Sequence, residues 1–131
     1  MAVVFPTDEL RNKLNEDHQF RNAARRWNAQ LLLRVGDKGY LVEIVDGHIL
    51  RFDADAGQFD GFSVMLSGTE DTWEQLLAPV PRPFYQDFIA AFFQHGFEIA
   101  GDLESAFSYY WALLRMLEVM RTTSVLQAEL H

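Results

Sequence analysis

The sequence contains no cysteine, and this absence excludes several kinds of site at once. Without thiols the chain has no disulfide framework, no thiolate chemistry and no thiolate metal ligands. Its histidines lack the His-x-x-x-His spacing of a helical zinc site, and no glycine-rich phosphate loop is present. We therefore expect neither a metal site nor a cofactor.

Basic residues are also scarce, since 11 Lys and Arg stand against 19 Asp and Glu and give a formal net charge of −8. Affinity for nucleic-acid backbones comes mainly from Lys and Arg, so we do not expect a nucleic-acid partner. No apolar run approaches the ~18 residues that span a bilayer. Residues 1–6 lack the basic and apolar regions of a signal peptide. These absences predict a cytoplasmic protein that is not transmembrane.

The order of the predicted elements groups the strands together, with helices around them. The predicted helices are Thr7 (as N-cap) to about Arg25, a short one around Trp73 capped by Ser67 or Thr69, Phe84 to Gln94 with Gly96 behind it, and Asp102 (as N-cap) to Met120. The predicted strands are 29–35, 40–45, 48–52, 62–66 and 97–99. Asp46-Gly47 favours a tight hairpin within this series.

This arrangement predicts an α+β fold. We expect one domain over residues 1–131, with 1–6 and 122–131 as loosely ordered tails. The sheet should have about five strands, mostly antiparallel, with the helices covering one face.

The last two predicted helices carry an excess of large apolar side chains. A surface helix usually shows an apolar stripe slightly wider than 100°, whereas residues 103–120 would place apolar groups over an arc of roughly 220°. We interpret the surplus as a surface for a bound apolar molecule or for another protein chain.

Three arginines, Arg21, Arg25 and Arg26, cluster near the end of the first predicted helix. Positive charge is favourable there, because the C-terminal end of a helix dipole is negative. Binding of an anion is the alternative interpretation, and the sequence leaves both open.

Three segments carry a joint pattern: 40–49 (YLVEIVDGHI), 62–73 (FSVMLSGTEDTW) and 90–103 (AAFFQHGFEIAGDL), followed by the apolar C-terminal helix. Together they resemble the sterol-carrier-protein domain, a small α+β lipid-binding fold. In that family a strand leads through a small-residue cap into a helix with an early Trp, and a later short strand ends in Gly-Asp before the last helix. The resemblance covers residues 10–120 and implies a lipid-binding function.

Our principal hypothesis is a non-enzymatic carrier that holds a fatty acid, an acyl derivative or a sterol-like molecule between the sheet and the helices. We expect the C-terminal helix to act as a movable wall. The predicted lining residues are Phe62, Met65, Phe88, Phe92, Phe107, Tyr110, Trp111 and Leu114. Tyr85, Tyr110 or His95 are predicted to contact a polar head group.

Two other functions are compatible with the sequence. The apolar face of the last helix also suits a homodimer or a complex with a partner enzyme. A small enzyme with a ketosteroid-isomerase-like cone is the third hypothesis. The order of elements disfavours it, because that fold tends to place its helices before most of its strands.

Overall fold

The computed structural model describes residues 2–55, 61–81, 83, 85–123 and 126–127. This part of the chain contains six helices and seven strands. The helices are α1 (Thr7–Glu16), α2 (His18–Ala23), α3 (Glu70–Leu76), α4 (Phe88–His95), α5 (Leu103–Ser108) and α6 (Tyr110–Thr122). The strands are β1 (Ala2–Val3), β2 (Ala29–Val35), β3 (Lys38–Val45), β4 (His48–Asp53), β5 (Val64–Gly68), β6 (Glu98–Gly101) and β7 (Leu126–Gln127).

Strands β2 to β6 form one mixed sheet with the order β4-β3-β2-β5-β6. The β2–β5 pair is parallel, and the other neighbours in this sheet are antiparallel. The predicted α+β fold with a five-stranded, mostly antiparallel sheet is therefore confirmed. The short strands β1 and β7, which the sequence pattern does not predict, pair with each other separately.

One face of the sheet carries the core. Leu31 of β2 lies opposite Val42 of β3 and beside Val64 of β5, and all three are fully buried in the main cluster. The helices cover this face, with α1 packed on β4 and both α3 and α5 packed on β5. Alternate residues point to the other face, as the pleat requires.

Helix α6 absorbs most of the apolar surplus that the sequence suggests. Its buried residues are Ala112, Leu113, Met116, Leu117, Val119 and Met120. The helix packs against α1, α2 and α5, so it needs a wider apolar arc than a helix with one buried stripe. Most of its apolar surface therefore belongs to the protein's own core. Trp111, which is 73% exposed, is the clear exception on this helix.

Polar side chains fix the first turns of four helices. Asp17, Thr69, Asp87 and Asp102 each accept a hydrogen bond from the backbone N–H three residues further on. Thr69 is thus the N-cap of α3. Asp102 is the N-cap of α5, which is the first part of the predicted C-terminal helix, as predicted. Gly96 ends α4 in the left-handed conformation, with φ 68°.

The first predicted helix is interrupted at Asp17. This residue has an extended backbone, with φ −77° and ψ 114°, and it caps α2 rather than continuing α1. At the other end, Thr7 is the first helical residue, and Pro6 holds the N-cap position without a side-chain hydrogen bond. Thr7 is therefore not the N-cap, which corrects the prediction by one residue.

The two later helices also differ from their predicted bounds. The helix expected from Phe84 begins at Phe88, because Asp87 is extended and caps it; Phe84 itself lies outside the described residues. The helix expected to run unbroken to Met120 breaks at Tyr109. The Tyr109 ring stacks on Trp27 with centroids 5.0 Å apart, and its backbone leaves the helical region.

Two residues near the N-terminus are buried. Val3 and Phe5 are 0% and 3% exposed, and Phe5 packs edge-on against Tyr40 and Trp73. Val3 and Phe5 therefore pack into the core, whereas the looseness of residues 1–6 as a tail stays a prediction. Of the predicted C-terminal tail, Thr122 ends α6 and Thr123 is buried, whereas residues 124, 125 and 128–131 lie outside the described part.

An ion pair ties α6 to the start of α2. Arg115 donates hydrogen bonds from Nε and Nη2 to Asp17 Oδ2, at 3.0 and 2.8 Å. The Asp17 side chain is only 12% exposed. Burial by itself would raise the pKa of Asp17, but hydrogen bonds from Arg115 and from the Phe20 N–H bring that pKa below its ordinary value.

We expect acid to weaken the fold through this pair. Because the pKa of Asp17 is lower in the folded chain, its stabilising contribution is present above the unfolded value of about 3.9 and is lost as pH falls through the folded value. Asp17→Asn should lower the free energy of unfolding by about 1–3 kcal/mol at pH 7 and by less below pH 4. Urea unfolding at both pH values measures the difference. Asp8→Asn, which alters an 87% exposed carboxylate 3.9 Å from Arg11, is the control. An effect of Asp17→Asn that is equal at both pH values contradicts this prediction.

Candidate ligand-binding site

An apolar cleft lies between α4 and α5, beside the edge strand β6. Its lining residues are Ile89, Phe92, Phe93, Ile99, Leu103 and Phe107. All of these side chains are aliphatic or aromatic, and several are open to solvent: Phe92 is 42% and Phe107 is 54% exposed. Large apolar rings in contact with water are the kind of surface that a ligand or a partner covers. We call this feature the apolar cleft.

Two glycines shape the chain on either side of β6. Gly96 ends α4 with φ 68°, and Gly101 ends β6 with φ 92°. Positive φ values suit glycine because it lacks a Cβ. Only residues 97–100 separate the two glycines, so the chain leaves α4, forms the edge strand β6 and enters α5 with both helices lining the apolar cleft.

The apolar cleft is small in this structure, at about 50 Å³. Sites for drug-sized ligands usually enclose about 300–1,000 Å³. The core beside α4 is filled, because Phe88, Phe97 and Trp73 are buried with their ring centroids 5.4–5.8 Å apart. A long apolar ligand must therefore lie along the surface or displace one wall.

The two helices after β6 are held unequally. Helix α5 has one buried residue, Ala106, and the Trp27 Nε1–H donates a hydrogen bond to Ser105 Oγ at 2.9 Å. Helix α6 is held by its buried face, by Arg115 and by Arg121, which donates to the carbonyl oxygens of Leu76, Tyr85 and Gln86 at 2.8–3.1 Å. Helix α5 is therefore the more weakly attached of the two.

The structure brings only part of the predicted lining together. Phe92 and Phe107 line the apolar cleft, and Phe88 is buried in the aromatic core. Trp111 lies on α6, beyond the break at Tyr109; it is 73% exposed and does not line the apolar cleft.

Two predicted lining residues lie elsewhere. Phe62 borders a separate surface cleft together with Gln30 and Glu43. Met65 is half-buried and sits in register between Leu32 and Ala100 on the sheet face opposite the main core. Neither residue lines the apolar cleft, and Met65 points to the sheet face opposite that of Ile99.

Tyr110 has a capping role in this structure. Its hydroxyl accepts a hydrogen bond from the Ile89 N–H at 3.3 Å and interacts with the Asp87 carboxylate at the start of α4. Burial raises the pKa of the Tyr110 phenol well above its ordinary value, so the group stays neutral. Leu114 is half-buried one turn further along α6.

The predicted head-group contacts Tyr85 and His95 lie against each other. Their rings stack with centroids 3.7 Å apart and an interplanar angle of 6°. The His95 Nε2 atom lies 3.4 Å from the Pro83 carbonyl oxygen. This pair flanks α4 at its C-terminal end but does not line the apolar cleft, so its contact with a head group remains a prediction.

Sequence reasoning missed several lining residues, namely Ile89, Phe93, Ile99 and Leu103. One signal points to part of this set: Leu103 and Phe107 are four residues apart and therefore share one face of α5. A second signal is the pair of glycines around β6, which brings Ile99 between the two helices.

Two other kinds of site are not found among the described residues. No group of three or more His, Asp or Glu side chains there is placed to hold a metal ion. No helix in the same part of the chain combines the length and the apolar character needed to cross a bilayer.

The sheet order, the covered face and the α4–β6–α5 connection together define a sterol-carrier-protein-2-like fold. The chain is similar to the crystal structure of sterol carrier protein 2, with a TM-score of 0.74 and 20% identity over 89% of this chain and 94% of that one. The predicted sterol-carrier-like domain is confirmed at the level of the fold, and the isomerase-like cone is not the fold of this chain.

Two further solved structures share the fold. One is the solution structure of a conserved hypothetical protein from Thermus thermophilus, named as a candidate sterol carrier protein, with a TM-score of 0.66 and 20% identity over 86% of this chain and 82% of that one. The other is a UbiJ-SCP2 ubiquinone synthesis protein, with a TM-score of 0.55 and 12% identity over 86% and 90%. Sequence comparison matches the chain to no protein-family model and to no curated protein.

Proposed function

We propose that the protein is a non-enzymatic carrier whose apolar or amphipathic ligand places an acyl chain or ring system in the apolar cleft. The observation that carries this proposal is a lining of six apolar side chains that remains open to solvent in the folded chain. Burial of apolar surface contributes about 25 cal/mol per Å², so such a ligand needs few polar contacts. The likeness to a protein named sterol carrier protein 2 supports the same class of ligand.

In this proposal the movable wall is α5, which is the first part of the predicted C-terminal helix, and α6 stays in place. Helix α5 is attached through Ala106 and the Trp27–Ser105 hydrogen bond. Its ends are the non-helical residues Asp102, whose N–H donates to the Ser63 carbonyl oxygen, and Tyr109, whose ring stacks on Trp27, so both ends are anchored and the helix between them can move. Movement of α5 away from α4 widens the apolar cleft without breaking the Asp17–Arg115 pair. Sequestration of an apolar chain requires no catalytic group, and the lining contains none.

Phe92→Ser should weaken ligand binding while Phe62→Ser should not. The two rings are equally exposed, at 42% and 41%, but only Phe92 lines the apolar cleft. Loss of a half-exposed ring removes about 2 kcal/mol of ligand contact, or a factor of about 10 to 30 in affinity. Titration with a fluorescent long-chain fatty acid measures both variants against wild type.

The outcomes of this titration separate the hypotheses. Equal losses in the two variants, or no uptake by the wild-type protein, contradict a carrier site between α4 and α5. A loss confined to Phe62→Ser would move the site to the cleft beside Gln30. Mass spectrometry of small molecules released from the purified protein identifies any ligand that is already bound.

A second function, association with another protein chain, has one specific observation in its favour. Trp111 is 73% exposed and lies outside the lining of the apolar cleft, so a ligand in the cleft leaves this ring open to solvent. A stable interface buries about 1,200–2,000 Å² in total. Light scattering that shows a dimer, converted to monomer by Trp111→Gln, would favour this function over the carrier.

A further inference from the structure

A second cleft concentrates positive charge in this acidic protein. It is open, has a volume of about 500 Å³, and is lined from three segments: α2, the turn that follows α2, and the β3–β4 hairpin. Its cationic residues are Arg21, Arg25 and Arg26, and the imidazoles of His18 and His48 border the same space. We call it the arginine cleft, and it includes three of the 11 basic residues of the chain.

The arginines are not used to hold the fold together. Within the part of the chain that the structure describes, no ion pair or side-chain hydrogen bond involves Arg21, Arg25 or Arg26. By contrast, Arg115 donates hydrogen bonds to Asp17, and Arg121 donates to backbone carbonyl oxygens. Like charges that share a cleft repel one another, so the cluster gains nothing from its own proximity.

The helix dipole explains the position of only one of the three arginines. Arg21 lies in the last turn of α2, where a positive charge is favourable. Helix α2 ends at its C-cap Ala24, so Arg25 and Arg26 lie beyond it. Arg26 also has φ 67°, a left-handed conformation that glycine or asparagine adopts more easily than arginine.

The opposite wall of the arginine cleft is firmly built. The Gly47 N–H donates to the Trp27 carbonyl oxygen at 3.0 Å, and the Asp46 N–H donates to Asn28 Oδ1 at 2.9 Å. A Cβ at Gly47 would lie 2.8 Å from the Ala24 carbonyl oxygen, so the hairpin tip sits directly on the turn that carries Arg25. These contacts hold the arginine-bearing turn and the hairpin at a fixed separation.

We propose that the arginine cleft binds a phosphoryl group. Guanidinium groups present several N–H donors in a plane, and phosphate oxygens accept them in pairs. One carboxylate, Asp46, also lines the cleft, and it leaves a local excess of positive charge. The net charge of −8 makes general attraction to anions weak, so phosphate binding by this protein requires a local site.

This proposal is independent of the carrier function. The β3–β4 hairpin lies near one edge of the sheet and β6 forms the other edge. Three to four strand spacings separate them, which is roughly 15–19 Å. Arg25→Gln should therefore leave uptake of the fluorescent fatty acid unchanged, and Phe92→Ser should leave phosphate binding unchanged.

The test compares two sources of the same group. Calorimetry measures binding of glycerol 3-phosphate, and flotation measures binding to phosphatidylcholine vesicles with and without phosphatidic acid.

Arg25→Gln should weaken phosphoryl binding at least about fivefold. Lys38→Gln, which makes the same charge change at an exposed position in β3 at the far end of the sheet, should weaken it less than twofold. In Arg26→Gly the new glycine adopts the positive φ of residue 26 without strain. This variant should therefore weaken binding without lowering the melting temperature.

Each result decides the proposal. Binding of glycerol 3-phosphate that depends on Arg25 and Arg26 supports a site for soluble phosphate esters, and binding only to the phosphatidic acid vesicles with the same dependence supports a lipid head group. Absence of both kinds of binding overturns the proposal. Equal losses in Arg25→Gln and Lys38→Gln also overturn it, because they show a general charge effect rather than a site.

Discussion

Gly101→Ala should destabilise the protein strongly and disturb the apolar cleft. Gly101 has φ 92°, and a Cβ there would collide with the backbone carbonyl oxygen of Ser63. That oxygen also accepts a hydrogen bond from the Asp102 N–H at 2.6 Å. The clash would therefore disturb the hydrogen bond that positions the start of α5. The left-handed backbone and the clash together should lower the free energy of unfolding by about 2–4 kcal/mol. Urea denaturation measures this, and fatty-acid titration of the folded fraction should show weakened uptake.

Gly96→Ala is the matched control for this change. Gly96 also has a positive φ, 68°, but no atom lies within 4 Å of the Cβ that alanine would add. Only the backbone cost remains, which is about 1 kcal/mol. If the two variants are equally stable, the close approach of Gly101 to Ser63 does not matter, and the argument that it fixes α5 fails.

Much of the fold was predictable because its signals are local. The Asp46-Gly47 turn has φ values of 49° and 78° and joins the predicted second and third strands. Thr69, Asp102 and Gly96 occupy cap positions that depend on side-chain or backbone chemistry within three residues. Features that depend on distant partners were not predictable. The break at Tyr109 depends on stacking against Trp27, and the order of Val3 depends on β7.

The candidate site was predictable only in part, for a related reason. Hydrophobicity identified α4 and the C-terminal helices as unusually apolar, but it does not distinguish a ring that faces inward from one that faces outward. Phe88 and Phe92 differ by one helical turn, yet they are 0% and 42% exposed. The difference arises from Trp73 and Phe97, which pack against the Phe88 ring. Neither of them belongs to α4, so the helical pattern of α4 does not reveal the contact.

The arginine cleft shows the same limit in electrostatics. The sequence places Arg21, Arg25 and Arg26 together but leaves two interpretations open. The choice between them depends on where α2 ends and on the docking of the β3–β4 hairpin against the following turn. Neither feature can be read from the local sequence, which is why the structure was needed to place Arg25 and Arg26 beyond the C-cap of α2 and beside the hairpin.

Phe88→Ala should remove more stability than any change in the cleft lining itself. The Phe88 ring is fully buried, 5.8 Å from the Trp73 ring and 5.4 Å from the Phe97 ring by centroid distance. Truncation of a buried phenylalanine typically costs about 3–5 kcal/mol, because transfer energy is lost and a cavity remains. Chemical denaturation of the variant measures this loss. It tests whether Phe88 is a core residue, as the structure places it, or a ligand contact, as the sequence suggests.

Phe93→Ala is the control on the same helix. The Phe93 ring is 72% exposed, so its removal should change the free energy of unfolding by no more than about 0.5 kcal/mol. Its effect should appear instead in ligand affinity, since Phe93 lines the apolar cleft. The opposite pattern would reverse the assignment of the two rings: a large loss of stability in Phe93→Ala, with Phe88→Ala stable but unable to bind fatty acid. The pocket would then lie beneath α4 rather than between α4 and α5.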